Sequence, residues 1–238
     1  MYEYVAKSEY APVRKELEAI IHCVQTEMRE TFDMPFQFRL IGSGNRHLIT
    51  RVKGGNRGYD FDYNLILPHP GNGYVYKAGF IKQNFMKSFR IAIKGTPYSF
   101  PKDSTSAITI KSFDQHGNGI RHRCDFAIIY FGNCNGEDGY FYLRNNKVQG
   151  SYEFAFRPLN SNIDEKVQKI RNIPNGWNTI RKEYLRLKNI NEGKEKSSFS
   201  LYMEAVNNVY NQFFYENRGE LICENILALR RRSRLIQI

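Results

Sequence analysis

Tyr59-Asp60-Phe61-Asp62-Tyr63-Asn64-Leu65-Ile66-Leu67 is a strand that opens with two carboxylates and closes in an apolar run, stopped by Pro68-His69-Pro70-Gly71. Residues i and i+2 of an extended strand share a face, so Asp60 and Asp62 point together while Phe61 and Tyr63 turn the other way into packing. Two carboxylates that close repel each other unless a cation lies between them, and a divalent metal is the natural resident. Taken alone, an Asp-x-Asp pair is more often a solvated edge feature than a site. What surrounds it decides the reading.

Upstream, Phe36 to Ile41 alternates Phe36, Phe38 and Leu40 with Gln37 and Arg39, a strand that ends abruptly at Gly42-Ser43. Downstream, Arg123-Cys124-Asp125-Phe126-Ala127-Ile128-Ile129-Tyr130 puts a third acid, Asp125, at the start of a very apolar strand. A charge there is costly to bury without a metal or a cationic partner. Three aspartates on adjacent strands beside a glycine turn suit phosphoryl-type transfer. Two Mg²⁺ ions about 3.5–4 Å apart bridge a triphosphate and activate a hydroxyl, while backbone N–H groups hold phosphate oxygens. In this scheme Asp60 and Asp62 bind both metals, Asp125 completes the second metal site and orients or deprotonates the acceptor hydroxyl, and Gly42 and Ser43 cradle phosphate.

The order Gly42-Ser43, spacer, Asp60-x-Asp62, then Asp125 resembles the signature of the DNA polymerase β-like nucleotidyltransferase superfamily. The resemblance covers about the first 130 residues. The spacer from Gly44 to Tyr59 is longer than that superfamily usually carries. A second stretch, Ser200-Leu201-Tyr202-Met203-Glu204-Ala205-Val206, is similar to the Ser-x-x-hydrophobic-Glu helix of oligoadenylate synthases and bacterial cyclic-oligonucleotide synthases. The resemblance implies Ser200 and Lys188, with Lys182 as substitute, as contacts to a nucleoside triphosphate. Arg57 and Lys53 of the long loop are further candidates for neutralising the triphosphate, or they serve only to keep the loop soluble. It also implies Mg²⁺, with Mn²⁺ as the alternative, as cofactor and an NTP cleft between two lobes. The expected activity is transfer of a nucleoside monophosphate from an NTP to a hydroxyl, on RNA or a second nucleotide for preference. The competing expectations are a non-catalytic basic RNA-binding module and an inactive partner protein of the same fold.

Ser8 to about Arg29 carries Val13, Leu17, Ile20, Ile21, Val24 and Met28 at helical spacing, which predicts an amphipathic helix before the first strand. Tyr76 to Ile93 predicts a second helix, with Phe80, Ile81, Phe85, Phe89 and Ile93 on the apolar side and Lys77, Lys82, Lys87 and Arg90 on the other. Ala107–Phe113 and Ile120–Phe131 read as a strand pair around the turn 114–119, followed by strands at Tyr140–Leu143 and Tyr152–Phe156. Beyond Asn160 the texture is helical: Ile163–Arg171, Trp177–Ile190, Phe199–Asn217 and Glu220–Arg232. The expected architecture is α+β: a mixed-sheet catalytic lobe with flanking helices over residues 1–159, and a helical lobe over residues 160–238 closing the nucleotide cleft.

The 238 residues hold 35 Lys and Arg against 24 Asp and Glu, a formal charge of +11. The excess is zero over residues 1–75, +6 over 76–159 and +5 over 160–238, with the densest run at Arg230, Arg231, Arg232 and Arg234. Such a field favours polyanionic partners without specifying chemistry. At 41% hydrophobic and 14% aromatic the chain has the bulk for a core, which excludes disorder. The start, Met1-Tyr2-Glu3-Tyr4, has neither the basic opening nor the apolar stretch of a secretory signal, and no run reaches membrane-spanning length. Cys23, Cys124, Cys134 and Cys223 are unpatterned and read as buried structural thiols of a soluble cytoplasmic protein. His122, Cys124 and Cys134 lack the second C-x-x-C pair of a zinc site, and no Ser or Cys has the setting of a nucleophile.

Overall fold

A computed structural model describes residues 1–71, 75–114, 117, 119–159, 162–191 and 195–216. The chain divides into two compact units, Met1–Leu159 and Asn160–Ile238.

In the first unit the elements run β1 (Tyr2–Tyr4), α1 (Lys7–Phe32), β2 (Gln37–Ile41), α2 (Gly42–Asn45), β3 (Thr50–Val52), β4 (Tyr59–Ile66), α3 (Ala78–Ala92), β5 (Lys102–Asp103), β6 (Ile108–Phe113), β7 (Ile120–Cys134), β8 (Glu137–Asn146) and β9 (Ser151–Pro158). The main sheet has seven strands in the order β2-β4-β7-β6-β5, with β8 paired to β7 and β9 to β8. β4 and β7 are parallel, and the other pairs are antiparallel. β7 is long enough to serve twice. Its first half pairs with β4 and β6, and its second half carries β8.

The inward face of β4 buries Tyr59, Phe61, Tyr63 and Leu65 against Val13, Leu17, Ile21 and Val24 of α1 and Ile81, Phe85 and Phe89 of α3 in one apolar cluster. Each fully buried large side chain contributes roughly 1.5–3 kcal/mol. This packing fixes the register of β4, and with it the face on which Asp60 and Asp62 stand, since a one-residue slip would bury both acids.

The expected helices and strands of this unit are present, and three local features differ. The long spacer is not a bare loop. β3 lies within it and pairs with β1, Tyr4 opposite Thr50, and the Asn56 carbonyl accepts from the Ile120 N–H at 2.8 Å. Gly58 has φ +60°, and a Cβ there would stand 2.1 Å from the Arg121 carbonyl oxygen, so only glycine permits the approach that brings the spacer back to β7. In α3, Phe80 is exposed, whereas Lys82, expected on the polar side, is 1% exposed. The Lys82 ammonium donates to the Ala107 carbonyl at 3.0 Å and forms an ion pair with Asp103 at 2.9 Å, at an angle outside hydrogen-bond geometry. A helical wheel cannot show that β5 brings a carboxylate over the apolar side of the helix. Of the described cysteines only Cys124 is buried; Cys23 is exposed and Cys134 half-buried.

His122, at the start of β7, is 3% exposed, lies edge-on to the Tyr98 ring and shares a 2.9 Å hydrogen bond with the Tyr98 hydroxyl. Burial, helped by Arg121, lowers its pKa to about 4 from 6.5. The unfolded chain therefore takes up a proton between pH 6.5 and 4 that the folded chain refuses. His122 contributes stability that is intact above pH 6.5 and lost as pH falls toward 4, about 3 kcal/mol in all. In urea titrations, wild type is expected to lose that much more stability between pH 7 and 4 than a His122→Gln variant; parallel pH profiles would contradict this.

The second unit contains α4 (Asn162–Arg171), α5 (Gly176–Ile190) and α6 (Ser198–Asn211), with a π-helical turn over Gln212–Glu216. Among its described residues Ile163, Val167 and Ile170, Ile180, Tyr184 and Leu187, and Leu201, Tyr202, Ala205, Val206 and Val209 are buried. Ser197 caps α6, its hydroxyl accepting from the Ser200 N–H at 3.1 Å. The helix expected over Glu220–Arg232, its arginine run and Cys223 lie outside the described residues. Among the described residues no helix is long and apolar enough to cross a membrane.

Candidate active site

On the face of the sheet opposite the core, β4 presents Asp60 and Asp62, and the parallel register sets Asp62 opposite Asp125 and Asp60 opposite Arg123. On the far side of β7 the β6 strand places Thr109 opposite Asp125 and Lys111 opposite Arg123. On the near side, Ile41 at the end of β2 pairs with Asp62, so the chain turns at Gly42-Ser43 directly beside that carboxylate. Gly42 has φ +61°, and a Cβ on it would lie 2.7 Å from Asp62 Oδ2. Any side chain at that position would therefore meet the left-handed backbone and the carboxylate together.

The carboxylates feel one another. Burial, then the charges of Asp125 and Asp60, push Asp62 up to about 6 against the opposing pull of Arg123. Asp125 is held by the Thr109 hydroxyl, which donates to Oδ1, and Thr109 in turn shares a 2.9 Å hydrogen bond with Ser104. Asp125 Oδ2 faces the Arg123 Nε at 3.7 Å, and Arg123 Nη2 donates to Asp60 Oδ2 at 3.0 Å. Among the described residues no three His, Cys, Asp or Glu side chains stand as a ready metal cage. The donor set is nonetheless that of a hard cation: carboxylate oxygens from three positions on two adjacent strands, one of them with its proton affinity raised by the others. That set fits Mg²⁺ or Mn²⁺. Asp60, Asp62 and Asp125 are the residues that would hold it.

The other expected site residues are placed as follows. Arg57 is exposed in the loop before β4, and Gly42 and Ser43 begin α2 next to Asp62. Lys188 and Ser200 belong to the second unit. There Lys188 Nζ donates to Ser198 Oγ at 2.9 Å rather than to Ser200, and the Ser200 hydroxyl shares a 2.9 Å hydrogen bond with Ser197. Three residues were not singled out from the sequence. Arg46 donates to the Gly42 carbonyl at 3.2 Å, Thr109 fixes one oxygen of Asp125, and Arg123 bridges to the acids. Only Arg123 left a readable signal, two positions before Asp125 and hence on its face. Thr109 needed the β6 register, which sequence does not supply.

No family model and no curated protein sequence matches the chain. Solved structures do match it. The GTP-bound form of Vibrio cholerae DncV superposes with a TM-score of 0.52 at 14% identity, covering 87% of this chain and 52% of DncV. The Elizabethkingia meningoseptica CdnE cyclic dinucleotide synthase with GTP and Apcpp gives 0.51 at 16% identity, covering 84% and 71%. DncV with 3'-deoxy ATP gives 0.51 at 14% identity. This chain spans about half the length of the DncV chain. The likeness is one of fold: the mixed sheet and helices are similar to those of DncV and CdnE.

Proposed function

We propose that the chain is an Mg²⁺-dependent nucleotidyltransferase that moves a nucleoside monophosphate from an NTP to a hydroxyl on RNA or on a second nucleotide and releases pyrophosphate. The observation that carries this reading is the pairing of Asp62 with Asp125 across two parallel strands, with Gly42 against the Asp62 carboxylate. Bound divalent ions would supply charge neutralisation for the triphosphate and acidify the attacking hydroxyl. The chain's own groups do the rest. Asp60 and Asp62 would hold the cations with Asp125 completing the second metal site, and the Gly42-Ser43 turn offers backbone N–H groups to phosphate oxygens beside them. Asp125, steadied through one oxygen by Thr109, keeps the other to orient the acceptor hydroxyl and take its proton. The hydroxyl oxygen bonds to the α-phosphorus, the bond from the α-phosphorus to the bridging oxygen breaks, and pyrophosphate leaves with that electron pair. Arg57, Lys188 and Ser200 complete the proposed nucleotide-binding set. The GTP and ATP analogues in DncV and CdnE support an NTP as substrate.

One observation favours a second reading, a non-catalytic protein of the same fold: Arg123 already neutralises Asp60. The two are separated by incubating the protein with each of the four NTPs and Mg²⁺, with and without total RNA, and following pyrophosphate release. The enzyme reading expects release with at least one NTP. No release under any condition, with salt-sensitive RNA binding that survives neutralising the aspartates, would replace it with the RNA-binding reading.

A further inference from the structure

Arg123 stands where a structural salt bridge has little reason to be. Its strand position is on the site face, directly opposite Asp60 and two residues before Asp125, and its guanidinium reaches both: Nη2 to Asp60 at 3.0 Å and Nε to Asp125 at 3.7 Å. The bridge is lopsided. Nε is buried yet lacks a hydrogen-bond partner among the described residues, because Asp125 is too far and Thr109 has engaged the other oxygen of that carboxylate. A guanidinium built to brace two strands would meet a carboxylate with two parallel hydrogen bonds. This one makes a single bond and leaves a donor unsatisfied, an arrangement that costs little to abandon when a better cation arrives.

We infer that Arg123 is a resident counter-cation of the acid cluster, which spans Asp60 and Asp125 while the site is unloaded and must be displaced for a divalent ion to bind there. The inference rests on the reading of Asp60, Asp62 and Asp125 as metal ligands and adds a device to it. A guanidinium hydrogen bond and a divalent ion compete for lone pairs of the same carboxylate, and their like charges repel, so the ion binds against Arg123. The displaced guanidinium then needs an anion, and a triphosphate arriving with the ion supplies one. Metal alone should thus bind weakly, and metal with nucleotide much better. Lys111, opposite Arg123 on β6, adds positive charge to the same face. It serves as the control, because it contributes to the general field and is not ion-paired to Asp60.

The test is Mn²⁺ binding to nucleotide-free protein, followed by electron paramagnetic resonance of the free ion. Arg123→Gln is expected to tighten Mn²⁺ binding by about tenfold or more, the effect of removing one nearby unit charge. Lys111→Gln is expected to change it by less than about twofold. A second reading comes from thermal unfolding. Without divalent ions Arg123→Gln is expected to melt below wild type, because the acids lose their counter-ion, and the gap is expected to close at saturating Mn²⁺. Unchanged or weaker Mn²⁺ affinity in Arg123→Gln overturns the inference, as does an equal gain in Lys111→Gln. If wild type binds Mn²⁺ and Asp60→Asn abolishes it while Arg123→Gln behaves as wild type, the inference falls and the proposed function stands. If neither wild type nor Arg123→Gln binds Mn²⁺ even with a non-hydrolysable NTP analogue present, both fall.

Discussion

Replacing Asp60 and Asp62 together by Asn is expected to lower nucleotide turnover by at least about a thousandfold, the scale on which removal of preorganised charge at a reacting phosphate is felt. The double variant should fold normally. Asn keeps the shape of Asp, both positions stand on the non-core face of β4, and the packing that fixes the strand is carried by Tyr59, Phe61, Tyr63 and Leu65. Metal-free, it should be at least as stable as wild type, since neutralising Asp62 relieves the burial and like-charge repulsion that hold its pKa at about 6. Turnover with thermal melting on the same preparations distinguishes this from a folding defect. A double variant that retains a tenth of wild-type turnover would contradict the assignment of those acids.

The largest stability effect is expected at Lys82. Lys82→Ala should cost roughly 2–4 kcal/mol, because it takes the cation from the half-buried Asp103 and leaves a cavity under α3. Asp103 is also the acceptor for the Tyr152 hydroxyl at 2.6 Å and the Asn145 amide at 2.9 Å, so this carboxylate ties α3 to β8 and β9. Burial alone would raise its pKa, but its partners Tyr152 and Lys82 hold it below the usual value. Pairing Lys82→Met with Asp103→Leu removes both charges, and should recover much of the loss seen in Lys82→Ala. Urea unfolding of the two variants checks both statements. A loss below about 1 kcal/mol in Lys82→Ala would show that the pair is not load-sharing in the folded chain.

The acid cluster was legible because it depends on local rules. The i, i+2 alternation put Asp60 and Asp62 on one face, the turn glycine stopped β2, and the apolar run after Asp125 marked a buried strand. Each rule acts within a few residues. The parts that were not legible depend on partners distant in the chain. Lys82 reads as a surface lysine until β5 delivers Asp103, and Thr109 is unremarkable until its register against Asp125 is known. The spacer from Gly44 to Tyr59 looks like a basic glycine loop until Tyr2–Tyr4 pairs with it. Arg123 lies between these cases. Its face follows from its spacing to Asp125, but its partner Asp60 follows only from the parallel register.

The claim at the centre of this account is that three acids of the first unit hold divalent ions beneath a triphosphate. Titrating Mn²⁺ calorimetrically into the protein with a non-hydrolysable NTP analogue present tests it most directly. Saturable binding that Asp60→Asn, Asp62→Asn or Asp125→Asn each abolishes is the predicted result. The same isotherm for wild type and all three variants would contradict it.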